Sequence, residues 1–231
     1  MTTRKEGAAT PIVRLDLSDQ VYAAIKARLL TREFGGGQKI SLQTLADELG
    51  VSRSPVHHAL TRLTTEGFVV SEPRGYVVRP LTAELMDELF EARVALELHS
   101  ADLTVGRLDD KQLAEFRSRM EATSALVRGH ELVDTGKYIR ANAAFHEYQV
   151  DLTGNSIISE MYRRLCVFQL QERALVVPGV SAAGDSTAQH RAIVEAYATD
   201  DLLGARSALR ANAETGREIC RIAIERAGGF L

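Results

Sequence analysis

The stretch Val51-Ser-Arg-Ser-Pro-Val-His-His-Ala-Leu-Thr-Arg-Leu63 holds an arginine between two serines, adds a proline, and then spaces Val56, Ala59, Leu60 and Leu63 three and four residues apart. That spacing is one face of a helix. Ser52 or Ser54 can cap it, and Pro55 sits near its first position, where a missing N–H costs little. Arg53, His57 and Thr61 fall on the outward face, with Ser54, His58 and Arg62 beside them. Just upstream, Leu42, Leu45, Ala46 and Leu49 repeat the spacing behind a Ser41 cap, and Gly50 stops that helix. A short helix, a glycine turn and a second helix make a helix-turn-helix. Its second helix would carry a cation and hydrogen-bonding groups into a major groove. The competing reading is a surface helix with ordinary polar groups. His57 and His58, being adjacent, point about 100° apart. That geometry disfavours chelation of one ion and leaves DNA contact or plain solvation.

Upstream, Leu17–Glu33 carries apolar residues at helical spacing, with Ser18 as a candidate cap and Phe34-Gly-Gly-Gly37 as its stop. Downstream, Gly67 ends the second helix of the pair. Two β-branched runs, 68–72 and 76–79, then flank Pro73-Arg-Gly75, the pattern of a small hairpin. Residues 1–80 therefore read as three helices and a two-stranded wing, with 1–15 as a frayed arm. Pro80 marks a boundary. Residues 81–231 read as helices near 82–105, 109–128, 132–153, 156–176, 184–199 and 201–226. Such helices can bury their stripes only against one another, as a bundle. The expected fold class is mainly α: a winged helix-turn-helix followed by an all-α helical bundle.

Composition narrows the function. With 45% hydrophobic residues, 17 glycines and 5 prolines in 231 residues, the chain is globular. No apolar run approaches the roughly 20 residues that span a bilayer, and the first residues lack the apolar core of a signal peptide, so a cytoplasmic protein without membrane contact is expected. The net charge of −3 argues against a nucleic-acid binder, but its distribution does not. Residues 1–80 hold 11 Lys/Arg against 8 Asp/Glu, and the rest hold 17 against 23. Cys166 and Cys220 lack zinc-type spacing and read as reduced thiols on helix faces. No phosphate loop or nucleophile–base arrangement stands out; Gly35-Gly-Gly37 is a turn.

The segment LADELGVSRSPVHHALTRLTTEGFV with its following wing resembles the N-terminal domain of GntR-type bacterial transcription regulators. The resemblance implies a double-stranded DNA operator, with Arg53 reading guanine or clasping a phosphate, position 57 a second basic contact, and Gly75 at the minor groove. The family usually has Arg-Glu where this chain has His57-His58, a shorter pair without arginine's permanent charge. The expected DNA-contacting set is Gln43, Thr44, Ser52, Arg53, Ser54, His57, His58, Arg62, Arg74 and Gly75.

Three further segments, Leu89-Phe-Glu-Ala-Arg93-Val-Ala-Leu-Glu97, Phe145-His146 and Gln189-His190, resemble the FCD effector domain of the FadR branch of that family. In many such domains an Asp four residues before a His joins two later histidines around a divalent metal, and an arginine clamps an acid ligand. Here Asn142 stands four before His146, and Asn212 stands where the last His would fall. His146 and His190, with Asn142 and Asn212, remain possible ligands for zinc or nickel, but two imidazoles and two amides bring no negative charge to a dication. The alternatives are a polar pocket of Arg93, Asn142, His146, His190 and Asn212 that hydrogen-bonds the effector directly, and histidines that are merely buried and satisfied. His99 and His130 read as surface or inter-helix residues. The expected function is a ligand-responsive transcription regulator, not an enzyme: a repressor and homodimer on a pseudo-palindromic operator, modulated by a small organic acid, with no obligatory metal. The rival readings are a metal-dependent enzyme built on His146 and His190, for which no third anionic ligand is evident, and an effector-free architectural DNA binder.

Overall fold

The computed structural model of the chain describes residues 17–129, 131–180 and 183–231; the arm at 1–15 and His130 lie outside them. The head opens with α1 (Leu17–Leu30), then β1 (Lys39–Ile40), α2 (Leu42–Leu49), α3 (Arg53–Thr65), β2 (Val69–Glu72) and β3 (Gly75–Val78). Helix α1 is described from Leu17, with Ser18 as its second described residue. The helix stops at Leu30, short of Glu33, because Arg32 takes a left-handed conformation with φ 61°. The Ser41 side chain accepts from the Thr44 N–H to cap α2, and Gly50, at φ 64°, closes it. Ser52 is the residue before α3 but makes no side-chain cap bond, and Pro55 is the third helical residue.

The apolar stripes read on the three head helices face inward, with Leu42 and Leu49 half-buried. Val21, Ile25 and Leu29 of α1 pack with Leu45 and Ala46 of α2 and with Val56, Ala59, Leu60 and Leu63 of α3. The wing is a three-stranded antiparallel sheet in the order β1-β3-β2. Val70 pairs with Val77 and Ser71 with Tyr76, while Lys39 and Ile40 pair with the other edge of β3. A strand of two residues is too short for period-two alternation to reveal it, which is why β1 escaped the sequence reading.

The second half is α4 (Ala83–Thr104), α5 (Asp110–Ser124), the short hairpin β4 (Val127–Arg128) and β5 (Glu131–Leu132), α6 (Thr135–Asp151), α7 (Ser156–Arg164), α8 (Val167–Leu175), α9 (Ala183–Ala198) and α10 (Leu202–Arg226). Two expectations are corrected. The helices expected at 109–128 and 132–153 are shorter at their facing ends, because the hairpin intervenes and Asp134 starts α6 by accepting from the Lys137 N–H. The helix expected at 156–176 is broken in two. Cys166 stands between the pieces at φ 54°, so it is not on a helix face; Cys220 lies buried within α10. At the other end of α5, Asp109 and Gln112 form a reciprocal capping box.

The halves are tied together at one side of α8. Cys166 Sγ donates to the Thr65 carbonyl at the end of α3 at 3.1 Å. Glu172 pairs with Lys26 of α1 at 2.8 Å, and Arg173 donates to the Arg79 carbonyl at 2.6 Å. Leu231 and Leu81 exchange two backbone hydrogen bonds beside the linker.

Gly67 sits in this seam. Its φ is 77°, and a Cβ there would lie 3.1 Å from Cys166 Cβ. Gly50 has a similar φ of 64° but open space around it. Gly50→Ala is expected to cost about 1–2 kcal/mol, the strain of a left-handed alanine, and Gly67→Ala measurably more, because α8 must also shift. Urea denaturation of the two variants checks this; equal losses would show that the seam is loosely packed.

Candidate functional site

The head presents one exposed polar surface. Arg53, Ser54, His57, His58 and Thr61 are exposed on α3, opposite its buried stripe. Gln43 and Thr44 on α2, Ser52 before α3 and Arg74 at the wing tip are exposed as well, and Gly75 is half-buried. His57 meets the wing, its ring 6.4 Å from that of Tyr76, so recognition helix and wing form one face. Arg62 is placed differently. Its guanidinium lies over the Tyr22 ring at 3.7 Å and pairs with Asp19 and Glu66, which turns it toward α1. Gln43 donates to Asp47 one turn along α2.

The second site lies inside the helical half, where α4, α6, α7, α8, α9 and α10 converge. Arg93 and Glu97, one turn apart on α4, are 1% and 0% exposed. Arg93 Nε donates to Glu97 Oε1 at 2.7 Å. Its Nη2 donates to Asn212 Oδ1 at 2.9 Å and lies 3.2 and 3.1 Å from the two ring nitrogens of His146. The Phe168 ring of α8 backs both groups: it stacks on His146 at 5.3 Å between centroids and underlies the guanidinium at 4.7 Å. Tyr162 of α7 donates to Glu97 Oε1 at 2.5 Å. His190 of α9 reaches Thr123 Oγ1 through Nδ1 at 3.2 Å, and its ring is 5.2 Å from that of His146. Asn212 also donates to Gln189 Oε1. The structure thus brings Arg93, His146, His190 and Asn212 together, with Asn142 one turn from His146. His99 is exposed, away from this cluster.

Some members of this cluster were not singled out from the sequence. Glu97 could have been, since Arg and Glu four apart share a helix face. Tyr162, Thr123 and Phe168 carry no sequence signal, because each arrives from a different helix. Two buried polar atoms at the cluster, Asn142 Oδ1 and His190 Nε2, have no hydrogen-bond partner among the described residues, and neither does Glu97 Oε2. A buried polar atom without a partner costs about 1–3 kcal/mol.

Electrostatics distinguish the members. Burial alone would raise the Glu97 pKa, but Arg93 beside it, then His146, hold the carboxyl down at about 2. Burial, and then Arg93, push His146 down to about 4; burial, then His146 and Arg93, push His190 well below its ordinary value. The site is therefore one cation and one anion among neutral imidazoles and amides.

This arrangement does not fit a divalent metal. A metal on His146 would stand against the Arg93 guanidinium, which already faces both ring nitrogens. Asn212 Oδ1 is taken by the same guanidinium, and the carboxylate nearest His146 is neutralised by it. Among the described residues no group of three or more His, Cys, Asp or Glu is placed to hold an ion.

Comparison with known proteins gives the family. Residues 17–78 match the gntR family of bacterial regulatory proteins, and residues 88–215 match the FCD domain. The chain belongs to the GntR family and carries an FCD domain. It is 28% identical over 177 residues to the HTH-type transcriptional regulator YdhC of Bacillus subtilis, covering 76% of this chain and 78% of that one. It is 27% identical over 146 residues to the gluconate operon transcriptional repressor of Bacillus subtilis, covering 63% and 59%. The solved structure of Escherichia coli McbR/YncC shares the fold, with a TM-score of 0.63 at 22% identity over 93% of this chain and 100% of that one. This GntR regulator is a DNA-binding transcription regulator with an FCD effector domain, and its family is one of regulators, not enzymes. No described helix is long and apolar enough to cross a membrane.

The depressed His146 value fixes a sign for pH dependence. Because the folded state binds the proton less readily than the unfolded chain, His146 stabilises the fold above about pH 6.5, and this contribution is lost as pH falls through about 4. His146→Gln is expected to flatten the stability profile between those values, read as urea midpoints at pH 7, 5.5 and 4.5. An unchanged slope would show that the imidazole is solvated in the native protein.

Proposed function

We propose that this GntR regulator is a ligand-responsive repressor that acts as a homodimer on a pseudo-palindromic operator in the cytoplasm and responds to a small organic acid bound at Arg93. The observation that carries the effector reading is the guanidinium's asymmetry. Its Nε edge is neutralised by Glu97, while Nη2 contacts only neutral acceptors, Asn212 and His146. A ligand carboxylate can exchange for those neutral contacts and gain a charge-assisted bond. Its hydroxyl or carbonyl groups can meet Asn142 and His190. A metal is not required for that chemistry. The relative described as a gluconate operon repressor supports the repressor reading.

Calorimetry of candidate hydroxy and keto acids on chelator-treated protein tests this, with elemental analysis of the untreated sample. Binding that survives chelation and is lost in Arg93→Ala is expected. Stoichiometric zinc or nickel in the untreated protein, with binding lost on its removal, would refute the metal-free site.

On the DNA side, Arg53 heads the exposed face of α3. A good bidentate base contact is worth about 1–3 kcal/mol. Arg53→Ala is therefore expected to weaken binding at least several-fold to a duplex selected from random sequence, at fixed salt and with an unchanged unfolding midpoint. Fluorescence anisotropy reads the affinity, and equal affinities would remove Arg53 from the interface.

A further inference from the structure

Helix α8 borders both sites. Toward the buried cluster it places Phe168 against His146 and Arg93. One turn on, Glu172 pairs with Lys26 of α1, and Arg173, about 100° further round, holds the Arg79 carbonyl at the end of the wing. Cys166, immediately before the helix, holds the end of α3. Glu172 and Arg173 are each 5% exposed, so these are enclosed contacts and not surface pairs. The helix has nine residues and no side-chain cap, and it is separated from α7 by the left-handed Cys166. It is short enough to move as one rigid piece about that break.

We propose that α8 is the element through which the effector pocket and the DNA-binding head are coupled. The proposal rests on the ligand-responsive reading above. A ligand that draws Arg93 or repositions His146 changes the seat of the Phe168 ring. In a close-packed interior that ring cannot shift alone, so α8 turns with it. The turn is felt at once by α1 through Lys26 and by the wing through Arg79, while α3 is tied at Thr65 to the break about which the helix turns. The recognition helix is thus held at its C-terminal end by a helix that carries part of the pocket wall. Coupling of this kind is established only by an energetic link between the two ends, not by adjacency.

Hydrogen exchange on the full chain, without ligand or DNA, tests that link. Phe168→Leu keeps an apolar side chain but removes the stacked ring. It is expected to speed amide exchange about five-fold in α1 around Lys26 and in the α3 end at Thr65–Phe68. Phe116→Leu is the control: Phe116 is also fully buried and stacks on Phe145, but in a cluster of the helical half that does not include α8. It should leave the head unchanged. Head exchange that stays at the wild-type rate in Phe168→Leu, or that rises equally in Phe116→Leu, overturns the proposal. A second measurement runs in the other direction and needs no core substitution. Glu172→Gln breaks the Lys26 pair and should shift the His146 ring resonances, while Arg28→Gln, which breaks the α1 pairs with Glu33 and Glu48, should not. Unmoved His146 resonances in Glu172→Gln also overturn it. Since neither measurement uses an acid, their failure is distinct from a failure of the acid to bind.

Discussion

Burying a guanidinium and a carboxylate together is the constraint on which the helical half depends. Each ion alone would cost several kcal/mol to desolvate, and their mutual attraction repays this only with good geometry and further hydrogen bonds. Arg93 and Glu97 obtain the geometry from a single turn of α4, but the further bonds must come from elsewhere. Tyr162 supplies one from α7, Asn212 one from α10, and His146 faces both ions from α6. Phe168 closes the remaining side from α8. The pair therefore gathers these helices at one point, and the apolar clusters on either side fill the space that this leaves. Such a centre suits a regulator, because removing or re-pairing one partner inside it is worth kilocalories, the scale on which conformational equilibria shift.

The head is organised by a different constraint. Its three helices and wing close over one apolar cluster that needs nothing from the second half. What the second half contributes is orientation, through contacts at the end of α3 and along α1. These are polar contacts at a seam of limited apolar packing, the kind of interface across which domains move.

Legibility in the sequence followed the same line. The helix-turn-helix was readable because each element is specified locally: a serine cap, an apolar stripe, a left-handed glycine. The wing hairpin was readable from its turn, but β1 was not, since two residues become a strand only by pairing with β3. In the second half the helices were visible and their interruptions were not. Cys166 adopts a left-handed conformation with no glycine to announce it, and its thiol finds its partner a hundred residues away in α3. The site was half legible. Arg93, His146, His190 and Asn212 do meet, but the state of Arg93 depends on Glu97 and Tyr162, and only the fold reveals that the cation is already engaged.

That engagement gives the two asparagines a physical sense. In the pattern this domain resembles, an anionic ligand and a third imidazole would surround a dication. Here positions 142 and 212 carry amides, and Asn212 accepts from the Arg93 guanidinium. A carboxylate at 142 would bring a second negative charge into a cluster that Glu97 already balances, and burying it unpaired would be costly. An amide at 212 accepts from Arg93 through its oxygen whatever the pH, whereas an imidazole there would accept only while unprotonated. The amide at 212 and the engaged arginine are thus one consistent arrangement.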